Sequence, residues 1–171
     1  MKYNFLSKIA LLGLIIVVFS CKKEVPVQEQ ENLNVLKIKI GANTFTWSDT
    51  DGAGGVAPKI DTIKLTPNTI FDVELTVQDG SKSPTQDFTP EIITEKNDHL
   101  FVYKSVGNFT VSTFSKDGNG KDFGQTAKLQ SVAVGNGSLQ IILKHLPDKS
   151  ASDPSKTGET DMEVLFPVVI K

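Results

Sequence analysis

The stretch FDVELTVQ at residues 71–78 decides the fold class, because apolar and polar side chains alternate along it without interruption. A period of two places the two kinds of side chain on opposite faces of an extended strand. One face then enters a core and the other meets water, as in antiparallel sheets. The stretch LKIKI at residues 36–40 repeats the pattern. Both segments are therefore predicted to be half-buried β-strands.

Seven further segments show strand-type patterns, and short turns rich in glycine, asparagine and proline separate them. Pro167 lies inside the last pattern and is expected at an edge position or a bulge, because proline cannot donate to a sheet ladder. About nine short strands with hairpin-length links predict an all-β protein, an immunoglobulin-like antiparallel β-sandwich. The seven segments are residues 44–47, 62–66, 100–104, 109–114, 127–134, 139–146 and 162–170, and the turns include residues 41–43, 67–69, 106–108 and 135–137.

One short helix is predicted near residues 89–97, between two strands. Thr89 is the expected N-cap, and Pro90 suits the first helical position because its missing N–H is unpaired there in any case. Three longer loops remain, and the first and third are the predicted places for function, because a sandwich displays its variable chemistry at its ends. These loops are residues 48–59, 116–125 and 147–161.

The N-terminus has the layout of an export signal. Two lysines precede an apolar run at residues 9–19, which is too short for a permanent membrane helix. The run continues into IIVVFSC at residues 15–21, which resembles a bacterial lipobox. Cleavage is then expected after Ser20, with a diacylglycerol on the sulfur of Cys21 and an acyl chain on its new amino group. Two or three acyl chains exceed what stable membrane anchoring requires.

An ordinary secretory signal with a chance cysteine, or an uncleaved anchor helix, is the alternative interpretation of this N-terminus. Cys21 is the only cysteine in 171 residues and stands at the one position where the modification requires it, which favours the lipobox. The chain is therefore predicted to comprise a lipoprotein signal peptide at residues 1–20, a lipidated cysteine with a flexible tether at residues 21–33, and one β-sandwich domain at residues 34–171.

The expected location is the cell envelope, with a lipid anchor in the outer membrane and the domain facing the periplasm. Lys22 and Lys23 follow the cysteine and do not resemble an acid-rich surface-export signal, which favours the periplasmic side. The membrane is thus the first expected partner, through the lipid anchor, and an outer-membrane transporter is the second.

The composition excludes several classes of function. Without residues 1–20 the chain carries 16 lysines against 20 acidic residues, a net charge of −4, and it has no arginine. Nucleic acid is not an expected partner, because there is neither a basic patch nor a binding motif. The chain also lacks a G-x-S-x-G elbow, an H-E-x-x-H motif and a phosphate-cradling loop. We therefore predict that the protein is not an enzyme and has no obligatory cofactor.

Four motifs are distinctive: TFTWSDTDGAGG at residues 44–55, ITEKNDH at residues 93–99 followed by Phe101 and Tyr103, KHLPDK at residues 144–149 and GETDMEV at residues 158–164. Together they resemble a family of small Bacteroidota-type envelope lipoproteins, often labelled "type 1 periplasmic binding fold superfamily protein". The resemblance covers nearly the whole mature chain and implies an envelope lipoprotein without a stated mechanism. The chain has no alternation of strands with long helices, so a two-lobed α/β fold is not expected.

The first loop of that family resembles D-x-D-G-D-G-G, an oxygen-rich turn of the kind that binds calcium. This chain has Asp49 and Asp51, but Ala53 stands where the third acid would be. Calcium needs six to eight oxygens, so the loss of one carboxylate weakens the site. The resemblance therefore implies a possible calcium loop at Asp49 and Asp51, and a glycine-rich connection is the alternative.

His99 and His145 are the only histidines, and both lie inside the motif segments. Alternation places His145 on the same face as Leu139, Ile141 and Leu143. Two imidazoles and a carboxylate would suit zinc or another divalent transition metal. The predicted ligand set is His99, His145, Asp98, Glu159 and Asp161. The alternative is that each histidine hydrogen-bonds locally and fixes a loop.

Aromatic residues on the strands are expected to pack in the core, with Phe101 and Tyr103 as the one pair expected on the surface. The leading functional prediction is a noncatalytic, membrane-anchored envelope lipoprotein that binds another outer-membrane component or a small nutrient. The alternative is a lipoprotein that binds a divalent metal ion through His99 and His145.

Overall fold

The structure, a computed structural model, describes residues 32–52 and 54–171. Two β-sheets contribute to one apolar core, and the predicted all-β sandwich is confirmed. The predicted signal peptide, Cys21 and residues 21–31 of the predicted tether lie outside the described residues. None of the helices within the described ranges is long and apolar enough to cross a membrane.

Sheet A has seven strands in the order β3-β2-β1-β5-β9-β8, and β6 pairs with the end of β5. Its neighbours are all antiparallel. The strands are β1 (Val35–Ile40), β2 (Asn43–Ser48), β3 (Lys59–Ile60), β5 (Thr69–Asp79), β6 (Gln86–Asp87), β8 (Phe109–Ser112) and β9 (Thr126–Ser131).

Sheet B has four strands in the order β4-β11-β10-β7, so β4 and β7 are its edges. The long strands β10 and β11 form an antiparallel pair in its centre, and β4 runs parallel to β11. The strands are β4 (Ile63–Leu65), β7 (His99–Val106), β10 (Gly135–His145) and β11 (Glu159–Ile170).

Period-two alternation builds the core from both sheets, as the sequence predicts. On β5, Val73, Leu75 and Val77 are buried, while Asp72 and Glu74 are exposed. The inner face of β11 is likewise fully apolar. Burial of each large apolar side chain contributes about 1.5 to 3 kcal/mol, so this shared layer is the main stabilising contact between the sheets. The β11 residues in the core are Met162, Val164, Phe166, Val168 and Ile170.

All nine predicted strands are present, and two further strands, β3 and β6, were not predicted. Each has two residues, which is too short to show a period. The turn predicted at residues 135–137 is wrong, because β10 begins at Gly135. Gly137 lies there for a steric reason, since a Cβ atom on it would lie 2.1 Å from the carbonyl oxygen of Val106.

The predicted helix is present as α1 (Thr89–Thr94), shorter than the predicted range. The N-cap residue is Phe88 and not Thr89, and the side chain of Phe88 makes no capping hydrogen bond. The first helical N–H, that of Thr89, donates to Oδ1 of Asp87 at 2.9 Å. The hydroxyl of Thr89 instead accepts a hydrogen bond from the backbone N–H of Val77 at 2.9 Å. Thr89 thus ties the helix to β5, a tertiary contact that the local capping signal does not reveal.

Pro167 lies in β11 opposite Ser138, with no register shift at that point. The backbone N–H of Lys171 donates to Leu65 of β4, and alternation directs the residue-167 nitrogen to the same side. Strand β4 pairs only from Val168 onward. The missing N–H of Pro167 therefore faces a stretch without a partner strand, which confirms the predicted edge position.

Candidate functional site

His99 and His145 meet at one end of sheet B. His99 is the first residue of β7, His145 is the last residue of β10, and the two are paired in register. Their rings stack, with centroids 4.9 Å apart and planes inclined by 6°. Both continue the inner-face alternation, because the preceding register pair on that face is Phe101 and Leu143.

A β-bulge brings Asp161 to this pair. The register between β10 and β11 shifts between Leu143 and Lys144, so Asp161 is the extra residue. Bulges re-aim side chains, and here the Oδ2 atom of Asp161 lies 3.9 Å from Nε2 of His99. Burial raises the pKa of the Asp161 carboxyl, and the two nearby imidazoles partly oppose that shift.

The hydrogen bond of His99 fixes its tautomer. Nδ1 lies 3.1 Å from the backbone carbonyl oxygen of Glu95, at the C-terminal end of α1. A carbonyl oxygen only accepts, so Nδ1 carries the hydrogen, and Nε2 faces Asp161. His99 is only 5 % exposed, and its ring therefore connects the helix end to the bulge.

This ring geometry does not suit a shared metal ion. A metal bound to an imidazole nitrogen lies in the plane of the ring, and two stacked, nearly parallel rings have no common point in their planes. Within residues 32–52 and 54–171, no group of three or more His, Cys, Asp or Glu residues is arranged to hold a metal ion. Of the predicted ligand set, the structure brings together His99, His145 and Asp161. Glu159 pairs in register with His145 and its charge also acts on Asp161, whereas Asp98 is exposed beside His99.

In the first loop, Asp51 closes a turn. Its Oδ2 atom accepts a hydrogen bond from the N–H of Val56 at 2.7 Å, and this bond is the main cause that lowers the pKa of Asp51. A Cβ atom on residue 55 would lie 2.4 Å from the same oxygen, so a larger residue there would displace the Asp51 carboxylate. The Oδ1 atom of Asp49 is buried and has no hydrogen-bond partner within the described protein. Calcium binding by Asp49 and Asp51 stays a prediction.

A cleft of about 360 Å³ lies on the open side of the edge strand β7. Its walls come from β7, from the second loop and from the third loop. The second loop was not predicted to carry function. Apolar side chains form the floor, namely Leu100, Phe101, Val102, Tyr103 and Phe114. Polar side chains form the rim, namely Lys116, Lys121, Asp122, Lys149, Asp153 and Ser155.

The aromatic floor is rigid. The rings of Tyr103 and Phe114 stack with centroids 5.5 Å apart, and the Tyr103 hydroxyl donates to the carbonyl oxygen of Gly124 at 2.7 Å. Burial raises the pKa of Tyr103, so its hydroxyl stays neutral at any physiological pH. Phe101 is only 3 % exposed, so the predicted surface pair of Phe101 and Tyr103 is wrong.

A buried ion pair beside the cleft holds the two loops together. Nζ of Lys149 lies 3.0 Å from Oδ2 of Asp117, and these side chains are 8 % and 1 % exposed. The same ammonium group donates to the backbone carbonyl oxygen of Lys96, at the end of α1, at 2.6 Å. The other oxygen of Asp117 accepts from the N–H groups of Asn119 and Lys121.

These contacts set the protonation of Asp117. Burial by itself would raise the pKa of its carboxyl, but the hydrogen bond from Lys149 and the two backbone N–H groups outweigh burial and lower the pKa. The carboxylate is therefore charged at neutral pH and balances the buried ammonium.

Neither Asp117 nor Lys149 was predicted as a functional residue. The sequence DGNG at residues 117–120 is typical of a tight turn around a carboxylate. The partner lysine, however, lies 32 positions further along the chain. No local pattern connects residues at that separation, so only the folded loops reveal the pair.

Comparison with protein families, with curated proteins and with solved structures finds no match to this chain. Function has to follow from the residues themselves.

Proposed function

We propose that this protein is a noncatalytic, lipid-anchored binding module of the cell envelope, and that its β-sandwich binds a small nutrient in the cleft beside β7. The cleft is the observation that carries the proposal. Its volume of about 360 Å³ falls within the usual range for small-molecule sites. An apolar floor with a few polar groups at the rim is the usual lining of such sites.

Preorganisation supports the same conclusion. The buried pair of Asp117 and Lys149 fixes the second and third loops against the end of α1 before any ligand arrives. A rigid site loses little conformational entropy on binding, so more of the contact energy appears as affinity.

The envelope location rests on the lipobox at residues 15–21 and on the predicted acylation of Cys21. A domain held beside the outer membrane would present its ligand to a membrane component, and an outer-membrane transporter is the expected protein partner. Capture of such a partner with a tagged, Cys21-anchored copy, followed by identification, would test that part of the proposal.

A fragment screen by protein-detected NMR tests the binding function. The mature chain, residues 21–171 with Cys21→Ser, is titrated with small polar and apolar fragments. We expect shift changes to cluster on the floor and rim of the cleft. Ser155→Trp places an indole at the rim and should abolish them, whereas Thr110→Trp, at an exposed position of β8, should not. If no fragment perturbs the cleft, or if both variants behave alike, the proposed site is wrong.

The metal-binding alternative requires a change of geometry. One imidazole would have to rotate out of the stack before Nε2 of His99, His145 and Asp161 could share an ion. Titration with Zn²⁺ and Cu²⁺ tests this, with His99→Ala plus His145→Ala as the control. Affinity that is negligible, or that survives both substitutions, would remove this alternative.

A further inference from the structure

The charges at the rim of the cleft specify the class of ligand, on the premise that the proposed binding function is correct. Each rim carboxylate already has a cationic partner. Asp122 pairs with Lys116, and Asp153 lies 3.0 Å from Nζ of Lys156 while it also accepts two hydrogen bonds from Ser155. A cationic ligand would have to displace these internal partners.

The rim lysines differ in whether a neighbouring carboxylate neutralises them. Lys149 is neutralised by Asp117, and Lys116 is neutralised by Asp122. Lys121 has no carboxylate within ion-pair distance among the residues that the structure describes. After internal pairing, therefore, one positive charge is left at the rim, on Lys121.

The position of Lys121 is fixed by the same turn that builds the cleft. Its backbone N–H donates to Oδ1 of Asp117 at 2.9 Å, so its Cα atom is held beside the buried ion pair. Its side chain lines the cleft. A ligand on the apolar floor would thus have one cationic group at its edge, and burial of its apolar part would supply most of the affinity.

We propose that the cleft binds a small monoanion with an apolar body, in which a carboxylate pairs with Lys121 and the apolar part packs on Tyr103 and Phe114. An exposed lysine contributes up to about 1 kcal/mol to an ion pair, so the charge selects among ligands and does not by itself provide the affinity. That energy corresponds to a preference of up to about fivefold.

Three probes of matched shape test the proposal: 3-phenylpropionate, 3-phenylpropanol and 3-phenylpropylamine. Their affinities for the mature chain are measured by NMR titration at low salt. We expect the carboxylate to bind about three- to fivefold more tightly than the alcohol, and the amine to bind most weakly. Because exposed charges are screened, the preference should shrink in 1 M NaCl.

Lys121→Gln should make the carboxylate and the alcohol bind equally. Lys64→Gln, on the opposite edge strand of sheet B, is the matched control and should leave the preference unchanged. If all three probes bind the cleft with equal affinity, or the amine binds most tightly, the monoanion class is wrong while the binding function stands. If none of the probes binds the cleft, the proposed class is also wrong, and the fragment screen decides the binding function separately.

Discussion

Asp117 accepts hydrogen bonds from one ammonium group and two backbone N–H groups, and its side chain is 1 % exposed. Among the residues that the structure describes, Nζ of Lys149 donates to Asp117 and to the carbonyl oxygen of Lys96, and it lies 5.8 Å from the centroid of the Phe123 ring. Removal of one member of a buried pair leaves an uncompensated charge in the interior. The two residues are therefore not equivalent, since loss of the carboxylate also leaves two backbone donors without an acceptor.

We expect Asp117→Ala to lower the free energy of unfolding by about 3 to 5 kcal/mol. Lys149→Met retains the apolar stem and leaves Asp117 with its two N–H donors, so its cost should be smaller. Urea denaturation measures both. Asp122→Ala is the control, because that ion pair is more than half exposed and should contribute at most about 1 kcal/mol. A cost for Asp117→Ala as small as that of the control would contradict the assigned role.

Low pH should weaken the ion pair between Asp117 and Lys149. The folded-state pKa of Asp117 is lowered, so its stabilising contribution is present above the pKa of the unfolded chain, near 3.8, and is lost as the pH falls through the folded-state value.

The pKa of Asp161 moves in the opposite direction, because burial raises it. The charged carboxyl therefore costs stability once the pH exceeds the unfolded-state value, and this cost is absent in acid. We expect Asp161→Asn to raise the Tm more at pH 8 than at pH 4. Thermal unfolding at both values measures the difference, with the exposed Asp98→Asn as control. An equal effect at both pH values would refute this explanation.

Among the secondary-structure elements, β11 connects the two halves of sheet B, because it pairs with β10 on one side and with β4 on the other. The bulge at Asp161 lies where the pairing with β10 is interrupted. Pro167 lies where β11 has a partner strand on one side only. Each irregularity is thus accommodated without loss of the core alternation from Met162 to Ile170.

The direction of backbone N–H groups along β11 gives an element-level prediction. Alternation directs the N–H of Val169 toward β4, on the same side as that of Lys171, whose bond to Leu65 is 3.0 Å long. Val169→Pro should therefore cost about 1 to 3 kcal/mol, the penalty for a lost buried hydrogen bond. Pro167→Val should change little, since no partner strand lies on the side that its nitrogen faces. Urea denaturation of the two variants tests this, and equal costs would contradict the predicted direction.

For the molecule as a whole, the His99–His145 stack, the bulge and the two cleft loops all lie at the end of sheet B where β7 begins and β10 ends. The end of α1 links them, because the carbonyl oxygens of Glu95 and Lys96 accept from His99 and Lys149. The opposite end consists of short turns. This end of the sandwich therefore carries the buried ion pair, the histidine stack and the cleft, and ligand binding is expected there.

The predicted lipid anchor can be tested at the scale of the whole molecule. Cys21→Ala should move the protein from the membrane fraction to the soluble fraction, because the acyl chains provide the membrane affinity. The circular dichroism spectrum and Tm of the domain should stay the same. Mass spectrometry of the natural protein should show an acylated N-terminal cysteine. An unacylated N-terminus, or an intact leader, would refute the predicted anchor.

The sequence alone was enough to predict the nine strands, because alternation depends only on whether each successive side chain is buried in the core or exposed to water. The stacking of His99 and His145 could not be predicted, because it depends on the register of β7 against β10. Their separation of 46 positions in the sequence does not reveal that register. Asp161 was a predicted partner of the histidines, but the bulge that orients it depends on a two-against-one pairing with β10.

The sequence by itself thus determined the sandwich, its strands and the helix position, because solvent exposure and backbone geometry act over a few residues. The tertiary structure alone decided the site. The cleft depends on a charge pair between two loops, on the closure of those loops against α1, and on the edge of β7 that has no neighbouring strand. Electrostatic and hydrogen-bond contacts of this kind form between residues far apart in the chain. No periodic pattern in the sequence indicates which loops will contact each other.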